Sequence, residues 1–327
     1  GAAVIDLDGD GVHEVFLGGG RDQQDGVFRF ADGKFAAIEQ AGLHKGEADA
    51  TLGAAVIDAD ADGRSDLFVA RDSGVYLYLN KAGQLAGSRV AIALDDKSVV
   101  ISLALTDLNR DGWVDMFAAA YLKKDKMEGQ NIFNKPGYGA SSVLLLNNGD
   151  NTFKDITAAA GMTYVHNTFQ GLFTDLDDDG DPDLVVAHDT GQVRTWRNNG
   201  DLSFTNSPNP TSEQYGYPMG IAAADYDGDG RTDLFFSNVG TTVPDFLGKG
   251  DLRADQVYNK RWILLRNDGG MRFTNVAEEA MVAGYEFSWG AVFEDFNLDG
   301  LQDLLVAENY VGFPPHKLLR LPGRLLM

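Results

Sequence analysis

Asp58-Ala59-Asp60-Ala61-Asp62-Gly63-Arg64-Ser65-Asp66 is one of six nonapeptides of the form D-x-[DN]-x-D-G-x-x-[DE] in this chain. The others are Asp6-Leu7-Asp8-Gly9-Asp10-Gly11-Val12-His13-Glu14, Asp107-Leu108-Asn109-Arg110-Asp111-Gly112-Trp113-Val114-Asp115 and Asp175-Leu176-Asp177-Asp178-Asp179-Gly180-Asp181-Pro182-Asp183. Two more follow: Asp225-Tyr226-Asp227-Gly228-Asp229-Gly230-Arg231-Thr232-Asp233 and Asp295-Phe296-Asn297-Leu298-Asp299-Gly300-Leu301-Gln302-Asp303. Side-chain oxygens at positions 1, 3 and 5 of a tight loop can converge on one point. Glycine at position 6 lets the backbone turn sharply, and the turn aims the carbonyl of position 7 inward. The carboxylate at position 9 then closes the shell. Calcium suits such a cage, because it takes six to eight oxygens in a flexible geometry. Magnesium prefers a strict octahedron, and zinc wants Cys or clustered His. Up to six structural Ca2+ ions are therefore expected. Asn109 and Asn297 replace a charge with a neutral oxygen and should weaken their loops. Glu14, longer than Asp, should loosen the first.

These loops are not EF-hands, which need Glu at position 12 and flanking helices. Position 12 here is Leu17, Val69, Ala118, Val186, Phe236 or Val306. The flanks are apolar, as in Ala54-Ala55-Val56-Ile57 before and Leu67-Phe68-Val69-Ala70 after. Each loop thus reads as the turn of a β-hairpin.

Successive motifs begin 52, 49, 68, 50 and 70 residues apart, a period that marks a propeller or solenoid array. The second repeat holds four strand signals, at residues 53–58, 66–70, 75–80 and 89–94, separated by turn residues such as Asp72-Ser73-Gly74 and Lys81-Ala82-Gly83. Four short antiparallel strands per repeat are the make-up of a propeller blade. The second strands, such as Asp183-Leu184-Val185-Val186-Ala187, are apolar without alternation, which fits sheets covered on both faces. The expectation is an all-β, six-bladed β-propeller of four-stranded antiparallel blades spanning 1–52, 53–99, 100–168, 169–217, 218–286 and 287–327. The two long spacings come from insertions at 121–141 and 239–261, each after a second strand. They hold Lys123, Lys124, Phe133, Lys135, Tyr138, Phe246 and Tyr258 and are expected on one rim, where recognition loops commonly sit.

The charge is strongly acidic: 27 Lys and Arg against 49 Asp and Glu, a net −22. Such a chain is not expected to bind nucleic acid, whose phosphates would repel it. Cys is absent, which excludes disulfides, zinc ribbons and thiol nucleophiles. Calcium can replace disulfides as the staple of a secreted protein. Cages of modest affinity fill outside the cytosol, so an extracellular or periplasmic location is expected. No apolar run is long enough to span a membrane as a helix. The start at Gly1, inside a strand-like run and without a leader, suggests a processed or trimmed N-terminus.

The motif and the strands before it, such as Gly53-Ala54-Ala55-Val56-Ile57-Asp58, resemble the FG-GAP/VCBS repeats of integrin-α-like β-propellers. Leu144-Leu145-Leu146-Asn147-Asn148-Gly149-Asp150, followed by Thr152-Phe153-Lys154-Asp155-Ile156-Thr157 and Ala160-Gly161, is similar to the signature of the ASPIC/UnbV, cartilage-acidic-protein-like branch. Leu265-Arg266-Asn267-Asp268-Gly269-Gly270 with Arg272-Phe273-Thr274-Asn275-Val276 repeats it. The resemblance implies a secreted, calcium-loaded propeller used for binding. It also makes positions 1, 3, 5 and 9 of each loop metal ligands. Family propellers commonly have seven blades and a C-terminal ASPIC/UnbV segment. Six blades and a third strand near residues 317–323 suggest a fragment; a closed six-bladed ring is the alternative.

No G-x-S-x-G or P-loop occurs, and the five histidines, His13, His44, His166, His188 and His316, have no ligand-spaced partner. His188-Asp189, and Tyr164 with His166, offer weak candidates for a catalytic base. The expected role is a protein- or glycan-binding platform, with no dedicated enzymatic activity. The competing expectation is a propeller polysaccharide lyase or hydrolase using a rim or central pocket. The short runs Ala158–Gly161 and Glu278–Ala280 are expected as single helical turns.

Overall fold

Each acidic loop sits between two apolar segments, and each such pair folds into an antiparallel hairpin. The structure is a computed structural model that describes residues 1–92, 94, 98–123, 139–249, 252–284, 286–309 and 323–326. The described residues form two compact units, one of 1–123 with 139–165, the other of 166–326.

The first unit carries three four-stranded sheets. The first contains β1 (Ala2–Ile5), β2 (Glu14–Leu17), β3 (Gly26–Ala31) and β4 (Lys34–Ile38). The second contains β5 (Thr51–Ile57), β6 (Asp66–Arg71), β7 (Gly74–Lys81) and β8 (Gln84–Arg89). The third contains β9 (Ser98–Thr106), β10 (Asp115–Lys123), β11 (Val143–Asn147) and β12 (Phe153–Asp155). In the second unit β13 (Thr168–Thr174), β14 (Asp183–His188), β15 (Val193–Asn198) and β16 (Phe204–Ser207) form the next sheet. After β17 (Gln214–Tyr215) come β18 (Ile221–Ala224) and β19 (Asp233–Phe236), then α1 (Asp245–Gly248) and β20 (Val257–Tyr258). β21 (Ile263–Gly269) and β22 (Arg272–Asn275) complete a sheet with β18 and β19. The last sheet joins β23 (Phe287–Glu294), β24 (Asp303–Asn309) and β25 (Gly323–Leu326). All six are antiparallel meanders in chain order. This is the blade of a β-propeller, the fold class that the repeat predicts.

The non-alternating second strands are explained by packing on both faces. In β6, Leu67 and Val69 join a core with Ile5, Phe16 and Val27 of the first blade. Their neighbours Phe68 and Ala70 face the other way, into a core with Val100, Met116 and Leu145 of the third. In β19, Leu234 and Phe236 pack with Val185 and Ala187, while Phe235 packs with Trp262 and Leu304. Full burial of one such side chain contributes roughly 1.5–3 kcal/mol. Phe235 and Trp262 meet edge to face, with centroids 5.4 Å apart.

The fourth strand of the second blade is Gln84–Arg89, five residues earlier than the 89–94 signal. Ala82 (φ 53°) and Gly83 (φ 87°) form a two-residue turn with both φ positive, as type I′ hairpins require, so β8 pairs at once with β7. Gly87, which reads as a strand breaker, is required there: a Cβ would lie 1.9 Å from the Leu77 carbonyl oxygen.

The single helical turns after β12 and β22 are present: the amide of Ala160 donates to the Ile156 carbonyl at 2.7 Å and that of Ala280 to Val276 at 2.8 Å. Of the first insertion, Lys124, Phe133, Lys135 and Tyr138 lie outside the described residues, as do His316 and 317–322 near the last blade's third strand. The second insertion supplies α1 and β20, and β20 pairs in parallel with β17. Phe246 on α1 is exposed, and Tyr258 on β20 is half-buried.

Candidate metal centres

All six loops share one backbone geometry. Glycine at position 6 has φ between 80° and 88° (Gly11, Gly63, Gly112, Gly180, Gly230, Gly300). Its amide donates to the position-1 carboxylate, at 3.1 Å in the first loop and 2.8 Å in the other five. The position-5 carboxylate accepts the position-7 amide of Val12, Arg64, Trp113, Asp181, Arg231 or Leu301, at 2.7–3.0 Å. Position 4 is left-handed as well, at Gly9, Ala61, Arg110, Asp178, Gly228 and Leu298, a demand that only two of the six sequences advertise.

This geometry converges the acids. Asp6, Asp8 and Asp10 each bring one oxygen within 4.8 Å of the others. So do Asp58, Asp60 and Asp62, and Asp225, Asp227 and Asp229. In the fourth loop the converging set is Asp175, Asp177 and Asp183, with Asp179 outside it. The two Asn loops bring no three carboxylates that close among the described residues. There the amide nitrogens of Asn109 and Asn297 donate to Asp111 and Asp299 at 2.9 and 3.0 Å. Their oxygens accept the Asp111 and Asp299 amides at 3.1 and 2.9 Å.

Position 9 does two things. Asp66, Asp115, Asp183, Asp233 and Asp303 are buried, as is Glu14. One oxygen of each accepts the amide of position 2 (Leu7, Ala59, Leu108, Leu176, Tyr226, Phe296) at 2.8–3.0 Å. In four blades the other accepts the amide of an Asn at or near the end of the third strand: Asn80, Asn147, Asn198 or Asn267, at 2.7–2.8 Å. Burial pushes up the carboxyls of Asp66, Asp115, Asp183 and Asp233, Asp115 and Asp233 to about 6 and Asp183 to about 7. Carboxylates held this way staple the hairpin and retain lone pairs for a cation.

Sequence reading missed these asparagines as part of the loop. Asn80 also donates to the Leu7 carbonyl and Asn267 to the Leu176 carbonyl, both at 2.9 Å, tying each loop to the one in the preceding blade. The signal was present: an Asn two or three residues before the glycine of the β3–β4-type turn, in Asn147-Asn148-Gly149, Asn198-Asn199-Gly200 and Asn267-Asp268-Gly269. In the first blade Phe30 takes that place, and Arg29 donates to Glu14 instead.

Two position-3 oxygens test whether a cation fits. Asp60 Oδ1 and Asp177 Oδ1 are buried and have no hydrogen-bond donor. An unsatisfied buried oxygen is costly, and both belong to converging acid sets. The acids also hold nearby cations. Lys81 lies 2.8 Å from Asp60 and pulls its carboxyl below the usual range. Arg29 does the same to Asp8, and Arg197 reaches Asp177 and Asp179. These donor sets can hold a metal ion.

The histidines present another picture. His188 is fully buried and its Nδ1 donates to the Gln192 carbonyl at 2.8 Å. The His166 ring lies 4.3 Å away, its Nδ1 accepting the Asn167 amide at 2.9 Å. Burial lowers both, His166 to about 4, so both are neutral at neutral pH.

Fold and loops together define a β-propeller whose blades each turn on an acidic hairpin. The model of the FG-GAP-like repeat matches residues 6–69, 58–118 and 175–236, more than half of the chain. The chain belongs to the FG-GAP-like repeat family. It is similar to cartilage acidic protein 1 of Xenopus tropicalis, 24% identical over 332 residues, covering 94% of this chain and 48% of the relative. The Homo sapiens protein is 23% identical, with 94% and 47% covered. The chain thus spans about half the length of the curated relatives it matches, and they are of the cartilage-acidic-protein branch that the strand-three signatures resemble. Among solved structures, an ancestral GH74 enzyme superposes with a TM-score of 0.53 at 12% identity, covering 94% of this chain and 34% of that one. At that identity the likeness concerns the fold. No helix among the described residues is long and apolar enough to cross a membrane.

Proposed function

We propose that this chain is an extracellular calcium-binding propeller that presents its loops to a protein or glycan partner. The observation that carries the calcium reading is the pair of buried, donor-less oxygens on Asp60 and Asp177, each within a set of converging carboxylates. A hard cation with all-oxygen ligands satisfies them. The ion would supply electrostatic stabilisation; the chain's own residues shape the turn, through position-4 and position-6 backbone and the position-9 staple. Extracellular calcium, at roughly millimolar levels, is what sites of modest affinity need. The similarity to cartilage acidic protein 1 supports that setting. A binding role is favoured over catalysis because the two histidines offered as bases pack on each other, His188 fully buried, and desolvation lowers the basicity of both.

The test is calcium titration by calorimetry on the intact chain, beside Asp60→Asn and Asp177→Asn. Each variant is expected to lose one site while keeping its metal-free melting temperature. Heat absent from the wild-type titration, or variants that bind like wild type, would overturn the calcium reading.

A further inference from the structure

The second insertion walls one side of a half-open polar cavity. It has a volume of about 390 Å3 and lies where β17, β20 and the turn after β22 meet. That is at the small end of ligand pockets, which run to roughly 300–1,000 Å3. We propose that this cavity is a subsite for a neutral pyranose ring of a glycan, which deepens the binding-platform reading and rests on it.

The cavity is held rigidly. Gln214 pairs with Val257 and Tyr215 with Tyr258 across the parallel β17–β20 strands. The Asn259 amide donates to the Tyr215 carbonyl at 2.8 Å, and its side chain donates to Gln214 Oε1 at 2.9 Å. Asn259 Oδ1 in turn accepts the Arg261 amide at 2.9 Å. Two amide donors of the lining make no hydrogen bond to protein among the described residues: Gln214 Nε2, on a half-buried side chain, and Asn275 Nδ2, on an exposed one. Their groups and the carbonyl oxygens beside them both donate and accept, which is what sugar hydroxyls require.

The charge argues for a neutral ligand. Arg261 and Glu278, the charged lining residues, form an ion pair with each other. The pair is exposed and worth little by itself, but its opposite charges offset each other at the rim and present no net charge to a ligand. The chain's net −22 further repels sulfated or acidic glycans. A peptide strand is disfavoured because β17 and β20 are two residues long and offer little edge for pairing.

The experiment is saturation-transfer NMR and calorimetry on the intact chain in calcium-replete buffer. The probes are the methyl glycosides of glucose, galactose and mannose, with inorganic phosphate and methylammonium as charged controls. Gln214→Glu and Asn275→Asp keep the structural acceptor oxygens and remove the spare donors. Val257→Trp fills the cavity from its exposed side. A neutral glycoside should bind, and each variant should weaken it about three- to tenfold, the size of one lost hydrogen bond at a solvent-open site. Melting temperatures matching wild type show that the variants fold. No glycoside binding, unchanged binding in Val257→Trp, or preference for phosphate would each overturn the subsite. A glycan array separates the two readings: signal retained by Val257→Trp sinks the subsite and leaves the platform standing, whereas a blank array for wild type sinks the subsite and leaves only a protein partner for the platform.

Discussion

Leu298 is 88% exposed and holds a φ of 60° at position 4 of its loop. That backbone costs an L-residue roughly 1–2 kcal/mol, a cost that Gly9 and Gly228 escape in the equivalent places. Glycine's extra unfolded-state entropy offsets part of the gain. Leu298→Gly should therefore stabilise the chain by about 0.5–1 kcal/mol, read as a higher urea midpoint at unchanged slope. Positions 3 and 9 separate metal binding from folding. Asp66→Ala strands the amides of Ala59 and Asn80 at a fully buried site. Two orphaned donors cost about 2–4 kcal/mol, and a loss of that size should already be present in EGTA. Asp60→Asn should show its loss in calcium only. His166 titrates with the opposite logic to an ion pair. Its folded value, about 4, lies below the ordinary 6.5, so between those values the unfolded chain binds the extra proton. Its contribution to stability is complete above pH 6.5 and is lost as pH falls towards 4. The difference in unfolding free energy between wild type and His166→Phe should change across that window, by up to about 3 kcal/mol, in denaturant melts at stepped pH.

At the scale of elements, the first two blades are joined by a buried polar node. Arg71, at the end of β6, donates to Asp25 at 2.6 Å and to the Tyr78 hydroxyl at 2.7 Å. Asp25 also accepts the Gly19 amide at 2.8 Å and the Thr51 hydroxyl at 2.7 Å. Removing one partner of a buried pair leaves an uncompensated charge, so Asp25→Ala should cost about 3–5 kcal/mol, and Asp25→Ala/Arg71→Met should recover much of it. A double-mutant cycle by urea melting measures this, and additive losses would refute the coupling. This node is illegible in the sequence, because Asp25 and Arg71 lie 46 residues apart and neither belongs to a motif. The hairpins were legible, because their chemistry is local: Asp, Gly and flanking apolar residues settle turn and strands within fifteen residues. The doubly buried second strands were legible too, since Leu67 and Phe68 serve opposite cores and leave an unbroken apolar run. The fourth strand was misplaced because Ala82 gives no sign of a positive φ and Gly87 resembles a breaker. The Asn80 and Asn267 ties were missed because their partners, Leu7 and Leu176, are backbone carbonyls of the preceding blade, invisible to any local pattern.

Across the whole molecule, the proposed calcium loops, repeated blade by blade, would make stability depend on ions. Net charge is −22, and four loops concentrate three converging carboxylates each. Without metal, Arg29, Lys81 and Arg197 offset part of that charge, but exposed pairs of this kind are each worth little. Salt should then help, because self-repulsion is screened over a Debye length of about 8–10 Å near physiological strength. In EGTA the melting temperature is expected to rise with NaCl; in calcium that dependence should flatten, since the bound ion has already neutralised the loops. The calcium gain follows from mass action. A site of about 0.1 mM affinity in about 1 mM calcium contributes about 1.4 kcal/mol. Four such sites sum to about 6 kcal/mol, comparable to a domain's entire net stability. Chelation should therefore lower the melting temperature by about 9 °C. The dependence on log calcium concentration should report about four ions, the Asn109 and Asn297 loops filling only at higher concentration. A melting temperature indifferent to EGTA at low salt would mean that the carboxylates are held apart by their own hydrogen bonds and basic neighbours, with no ion needed to close the turn.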